Sequence, residues 1–149
     1  LAENLNWALK VLAEILERDR YEAELLLLLS NWDTEYVRNV EPKVNLLNAL
    51  EAIKSDAVRI KVQEYLDDVN ETVRFHAVET TFAQGNKDSI GPLVAMMKDE
   101  ESVRIKNKVA EGMIRLEWKI PSDLQEAFAD ALADCHEYRM SDDGGVHGT

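Results

Sequence analysis

The sequence predicts an all-helical fold of eight helices in four consecutive pairs. Three observations predict it. Apolar side chains recur at i, i+3, i+4 and i+7 over most of the chain, as on a helix that buries one face. Turn-formers are scarce: there are six Gly and three Pro in 149 residues, and three of the glycines fall in the last six positions. A β-sandwich or barrel needs many more tight turns than that. The third observation is a short phrase ending in Val-Arg, which returns at Val37-Arg38, Val73-Arg74 and Val103-Arg104.

The elements follow in order. Leu5, Ala8, Leu9, Leu12, Ile15 and Leu16 form the stripe of a helix over 4–17, with Trp7 assigned to its buried side. Residues 21–30 are apolar nearly all round, which implies burial on more than one side. Asn31 to Thr34 supply capping groups for a short helical turn over 34–40. A main helix over 42–54 follows, with Pro42 in its first turn, where a missing N–H costs nothing. Ser55-Asp56 caps a helix to about Asp67, and Asn70 caps one over 71–84 that Gly85-Asn86 ends. Asp88 or Ser89 opens the next, to about Asp99, with Pro92 in its first turn. Residues 101–118 read as a long helix. Pro121 stops it, and the Ser122/Gln125 capping box opens a last helix to about Tyr138. Residues 1–140 therefore read as one domain and 141–149, which offer no apolar anchor, as a disordered tail.

Composition excludes several function classes. The net charge is −12, and such a surface repels phosphate backbones and anionic membranes. No apolar run approaches the ~20 residues of a membrane span. Cys135 is the only cysteine, so no intrachain disulfide forms and a cytoplasmic location is expected. The sequon at Asn70-Glu71-Thr72 is a chance match in that setting. There is no Gly-rich phosphate loop, paired zinc cysteine motif or nucleophile elbow. Cys135 and His136 point about 100° apart on a helix and make no nucleophile–base pair. The His76/Glu79 pair, at i, i+3, has no third metal ligand at helical spacing. No cofactor, metal or catalytic residue is expected.

The repeated phrase carries the architecture. Asp33 to Arg38, Asp68 to Arg74 and Asp99 to Arg104 each place an Asp before a Val-Arg, 36 and then 30 residues apart, with a fainter copy at Ser55 to Arg59. At a helix–turn–helix corner the Val would enter the core and the Arg would reach a carboxylate. This gives the pairs Arg38–Asp33, Arg59–Asp56, Arg74–Asp68 and Arg104–Asp99, with anion clamping as the alternative use of the arginines. Asp-(x)3–5-Val-Arg between amphipathic helices, best in Leu66 to Val78 and next in 90–109, resembles HEAT repeats. The short period is most similar to the bacterial HEAT-like repeats also found in phycobilin-lyase-type proteins. The resemblance implies a right-handed α-α superhelix, a HEAT-like solenoid of about four helix pairs. It also implies that the helices near 35–53, 71–84 and 101–118 line a concave face.

The function expected from that resemblance is a non-catalytic scaffold or adaptor holding a protein or peptide partner on the concave face. The binding residues would be Arg74, His76, Glu79, Arg104, Lys106, Glu111, Arg115 and Trp118. Within the acidic chain, Arg104, Lys106, Lys108, Arg115 and Lys119 form a local basic patch suited to an acidic segment, unless Glu100, Glu101, Glu111 and Glu117 balance it as a solvated face. Trp32 and Trp118, at helix ends, pack between repeats or anchor a partner. The other use of the architecture is a phycobilin-lyase-like or chaperone-like protein that handles a small molecule. A solenoid DNA glycosylase needs a basic groove, which the charge argues against.

Overall fold

The computed structural model describes residues 2–149. Those residues are mainly helical. The helices are α1 (Ala2–Ile15), α2 (Arg18–Leu29), α3 (Glu41–Ala49), α4 (Asp56–Gln63), α5 (Glu71–Gln84), α6 (Ile90–Met97), α7 (Val103–Arg115) and α8 (Gln125–Ala131). Single 3-10 turns at Leu50–Ala52, Glu64–Asp67, Lys87–Ser89 and Ser122–Leu124 extend or open them. The chain ends in a hairpin of β1 (Tyr138–Met140) and β2 (Val146–Gly148). Two compact units divide between Gln84 and Gly85, where the sequence reads as one domain.

In the first unit α3 packs on α1, α2 and α5, and α5 packs also on α4. The shared core is Leu25, Leu29, Leu46, Leu47, Leu50, Val58, Val62, Val73, Ala77 and Val78. The expected helical turn over 34–40 is absent. Its backbone groups are instead bonded elsewhere: Thr34 O accepts from Val69 N (3.0 Å), and Asp33 O (2.8 Å) and Glu35 O (3.4 Å) accept from Lys43 Nζ. Lys43 itself is buried, and its Nζ also meets Asp68 Oδ2 at 2.7 Å. Tyr65 completes the clamp, its hydroxyl lying 2.7 Å from Trp32 O and 3.2 Å from Leu29 O. Trp7, expected in the core, is 69% exposed. On a helical wheel it lies with Val11 and Ile15 on the side of α1 away from buried Leu9.

The corners are more regular than the Val-Arg phrase suggests. Ser55, Asn70 and Ser102 cap α4, α5 and α7, each side chain accepting from the N–H three residues on: Val58 (3.1 Å), Val73 (3.1 Å) and Ile105 (3.3 Å). These three aliphatic residues are fully buried. The cap's own N–H is bonded at each corner as well, by Gln84 Oε1 (3.1 Å), Asp68 Oδ1 (2.9 Å) and Glu100 Oε2 (3.1 Å). The third helical position is thus the core position, and a cation follows it: Arg59, Arg74 or Lys106. The equivalent of Val73 is Ile105, 32 residues on (105 − 73). Val103, expected in the core, is the first residue of α7 and is 42% exposed.

In the second unit α6 packs on α8, and α7 lies against β2. Leu93, Met97, Ile105, Val109, Met113 and Phe128 fill the core. α7 ends at Arg115, short of the expected 118, because Glu117 takes a positive φ of 55°. The last helix ends at Ala131, not near Tyr138. The expected disordered tail is a correction. Tyr138 pairs with Gly148 and Met140 with Val146, while Ile120 N donates to Gly144 O (2.8 Å) and Thr149 N to Glu137 O (2.9 Å). Buried Val146 is the apolar anchor. Gly144, at φ 87°, is required, since a Cβ there would collide with Ile120 O.

Candidate functional site

A shared register in α3, α5 and α7 points to the candidate residues of each unit. In α3, α5 and α7 the buried ridges correspond: Leu46, Ala77 and Val109, then Leu47, Val78 and Ala110. The offsets are 31 (77 − 46) and 32 (109 − 77). At the same helical positions, on the polar side of each ridge, stand three i, i+3 pairs: Asn45/Asn48, His76/Glu79 and Lys108/Glu111. Residues at this spacing share a helix face.

In the first unit two of these pairs meet. His76 Nδ1 lies 3.0 Å from Asn48 Oδ1 and 3.4 Å from Glu79 Oε1. Phe75 meets the imidazole edge-on, ring centroids 5.6 Å apart. Beside Asn48 a groove of about 470 Å³ opens between α1 and α3, walled by Asn6 and Lys10 on one side and Asn45 and Asn48 on the other, with Tyr21 and Leu9 also lining it. Burial raises the Tyr21 hydroxyl above its ordinary value. Arg74 is turned toward its own corner, donating to Asp68 O (3.0 Å) and Val69 O (3.2 Å). The Asp68 carboxylate expected for Arg74 is taken by Lys43 and by Asn70 N.

In the second unit the expected basic patch is divided. Lys106 is buried and donates to Asp134 at 3.0 and 3.3 Å. That bond holds the Asp134 carboxyl below its ordinary value. Burial and the same carboxylate push the adjacent Cys135 thiol up, away from thiolate reactivity. Arg104 and Arg115 are exposed on α7. Lys108 pairs with Glu111 at 3.7 Å, and Glu111 accepts from the Tyr138 hydroxyl at 3.2 Å. Arg59 and Asp56 form the expected pair at 3.6 Å. Trp118 is buried and, with Met113, Ile114, Val146 and His147, lines a cavity of about 290 Å³ beneath the hairpin.

The eight expected residues therefore fall into three kinds of position. His76 and Glu79 are side by side on the polar face of α5; Arg104, Glu111 and Arg115 are exposed on α7; Arg74, Lys106 and Trp118 are engaged within their units. Asn45, Asn48, Asn6 and Lys10 were missed. Their signal was the Asn-x-x-Asn spacing on the polar side of α3, which reads as ordinary solvated surface until the groove is seen. Among the described residues no group of three or more His, Cys, Asp or Glu is placed to hold a metal, and no helix is long and apolar enough to cross a membrane. No protein-family profile, curated protein or solved structure matches this chain.

Proposed function

We propose that this protein is a non-catalytic binding module of HEAT-like helical repeats, a right-handed superhelix that holds a protein or peptide partner through the polar sides of its helices, which bear Asn45/Asn48 and His76/Glu79 in the first unit and Lys108/Glu111 in the second. The observation that carries the reading is the recurrence of a polar i, i+3 pair at one register on α3, α5 and α7. Each pair stands beside a ridge of equivalent buried residues. A repeat that keeps its core positions while varying the polar residues beside them suits recognition of an extended partner. The exposed Arg104 and Arg115 favour an acidic stretch in that partner, while Lys106 serves the fold.

The test is cross-linking mass spectrometry on complexes captured with the intact chain, beside Lys108→Glu/Arg115→Glu and His76→Ala/Glu79→Ala. Cross-links near α3, α5 and α7, with capture reduced by these substitutions, support the reading. Capture untouched by both pairs refutes the assigned residues. A second reading, small-molecule handling, draws on the Trp118 cavity. A thermal-shift screen of apolar aromatic ligands, read against Trp118→Ala, decides it.

A further inference from the structure

Resting on the binding-module reading, we infer that the groove between α1 and α3 recognises the main chain of an extended peptide through the amides of Asn6, Asn45 and Asn48. Its volume, about 470 Å³, lies in the range of genuine ligand sites. The lining chemistry is what distinguishes it. A carboxamide offers both a donor and an acceptor. An extended residue presents its N–H and C=O on the same side, and the next residue to do so lies two positions on, about 6.6 Å away. Side chains at i, i+3 on a helix stand roughly 5–6 Å apart, so Asn45 and Asn48 match successive same-side residues of an extended strand. Asn6 faces them from the other wall.

One of these amides is already engaged: Asn48 Oδ1 lies 3.0 Å from His76 Nδ1, so its NH2 is the half of the carboxamide offered to a ligand. His76 is held in turn by Glu79 at 3.4 Å. Leu9, Ala13 and Ala49 give the groove an apolar floor, where small side chains of a peptide are accommodated. Charge orients the occupant. Lys10 stands on the α1 wall. An acidic side chain toward α1 therefore complements the site. Main-chain recognition tolerates many sequences but not a residue that lacks the N–H.

The experiment is selection of a random 12-residue phage-displayed peptide library on the full chain. Enriched peptides are then made with a fluorescent label and titrated by anisotropy, each beside a copy N-methylated at alternate residues. Asn45→Ala/Asn48→Ala is titrated in parallel, with its far-UV spectrum and melting curve checked against the parent. Loss of two hydrogen bonds predicts a fall in affinity of roughly 10- to 100-fold for the double variant, and a similar loss on N-methylation. Peptides that bind the double variant as tightly as the parent place recognition elsewhere. They would overturn this inference while leaving the binding-module reading standing. Equal binding of the N-methylated copies overturns main-chain recognition. Enrichment of no peptide at all overturns the peptide occupant.

Discussion

Replacing Lys43 with Met removes the cation at the centre of the first unit while keeping most of its volume. In the parent, both side chains of the Lys43–Asp68 pair have 0% exposure, and Nζ reaches Asp68 Oδ2 at 2.7 Å and the carbonyls of Asp33 and Glu35 at 2.8 and 3.4 Å. Methionine leaves the Asp68 carboxylate buried without its counter-charge, which costs about 3–5 kcal/mol. Orphaning the Asp33 carbonyl brings the total toward the upper end of that range. At a urea m-value of about 1.5 kcal/mol/M the unfolding midpoint falls by roughly 2–3 M. Asp68→Asn keeps an Oδ1 for Asn70 N and removes the charge, so the double variant Lys43→Met/Asp68→Asn recovers part of the loss. Its total comes out at least about 1.5 kcal/mol below the sum of the single losses, as expected for groups in direct contact. Urea titrations followed by far-UV circular dichroism give all four corners of the cycle. A loss under about 1 kcal/mol for Lys43→Met, or an additive cycle, refutes the idea that this pair fastens segment 30–40 to the core.

Two further predictions test the register and the clamp. Ile105→Ala destabilises by about 2–5 kcal/mol because it empties a core position, whereas Val103→Ala stays within about 0.5 kcal/mol; equal losses in chemical denaturation would restore the Val-Arg alignment. Burial, with Glu64, Asp68 and Asp33 nearby, pushes the Tyr65 hydroxyl up from 10.0 to about 12. A raised native value favours the protonated form. The stability it contributes is full below pH 10 and is lost as pH rises from 10 to 12. Tyr65→Phe should flatten the stability–pH slope in that window, and an unchanged slope would refute the assignment.

Much of the fold was legible because its determinants are local. Ser55 and Asn70 announce the starts of α4 and α5, Gly85 the end of α5, and the apolar periods of α1 to α7 mark helices without reference to anything distant. The errors share a cause in partners that lie far along the chain. Segment 30–40 carries good capping residues, yet its carbonyls are bonded by Lys43, Tyr65 and Val69 instead of closing a helical turn. The C-terminal residues look polar and loose, yet Gly144 O bonds Ile120 N, and Val146 alone among them is an apolar residue with a core to enter. Neither pairing has a periodic signature.

The slip of the register by two residues changes which side chains of α7 correspond to those of α5. A dipeptide match aligned Arg74 with Arg104, both exposed-looking cations. The cap-to-core spacing aligns Arg74 with Lys106, whose Nζ is bonded to Asp134. Under the first alignment the cations of α7 make one basic surface. Under the second, the cation after the core residue is engaged within its own unit each time: Arg59 with Asp56 and Gln63, Arg74 with its corner carbonyls, and Lys106 with Asp134. The variable chemistry then moves to the positions two and five residues beyond it, occupied by His76 and Glu79 in α5 and by Lys108 and Glu111 in α7. Carrying that register back one repeat leads to Asn45 and Asn48, which neither charge nor composition singles out. Repeat alignment by capping geometry therefore separates the residues that build a corner from those that face outward, where alignment by residue identity mixes the two.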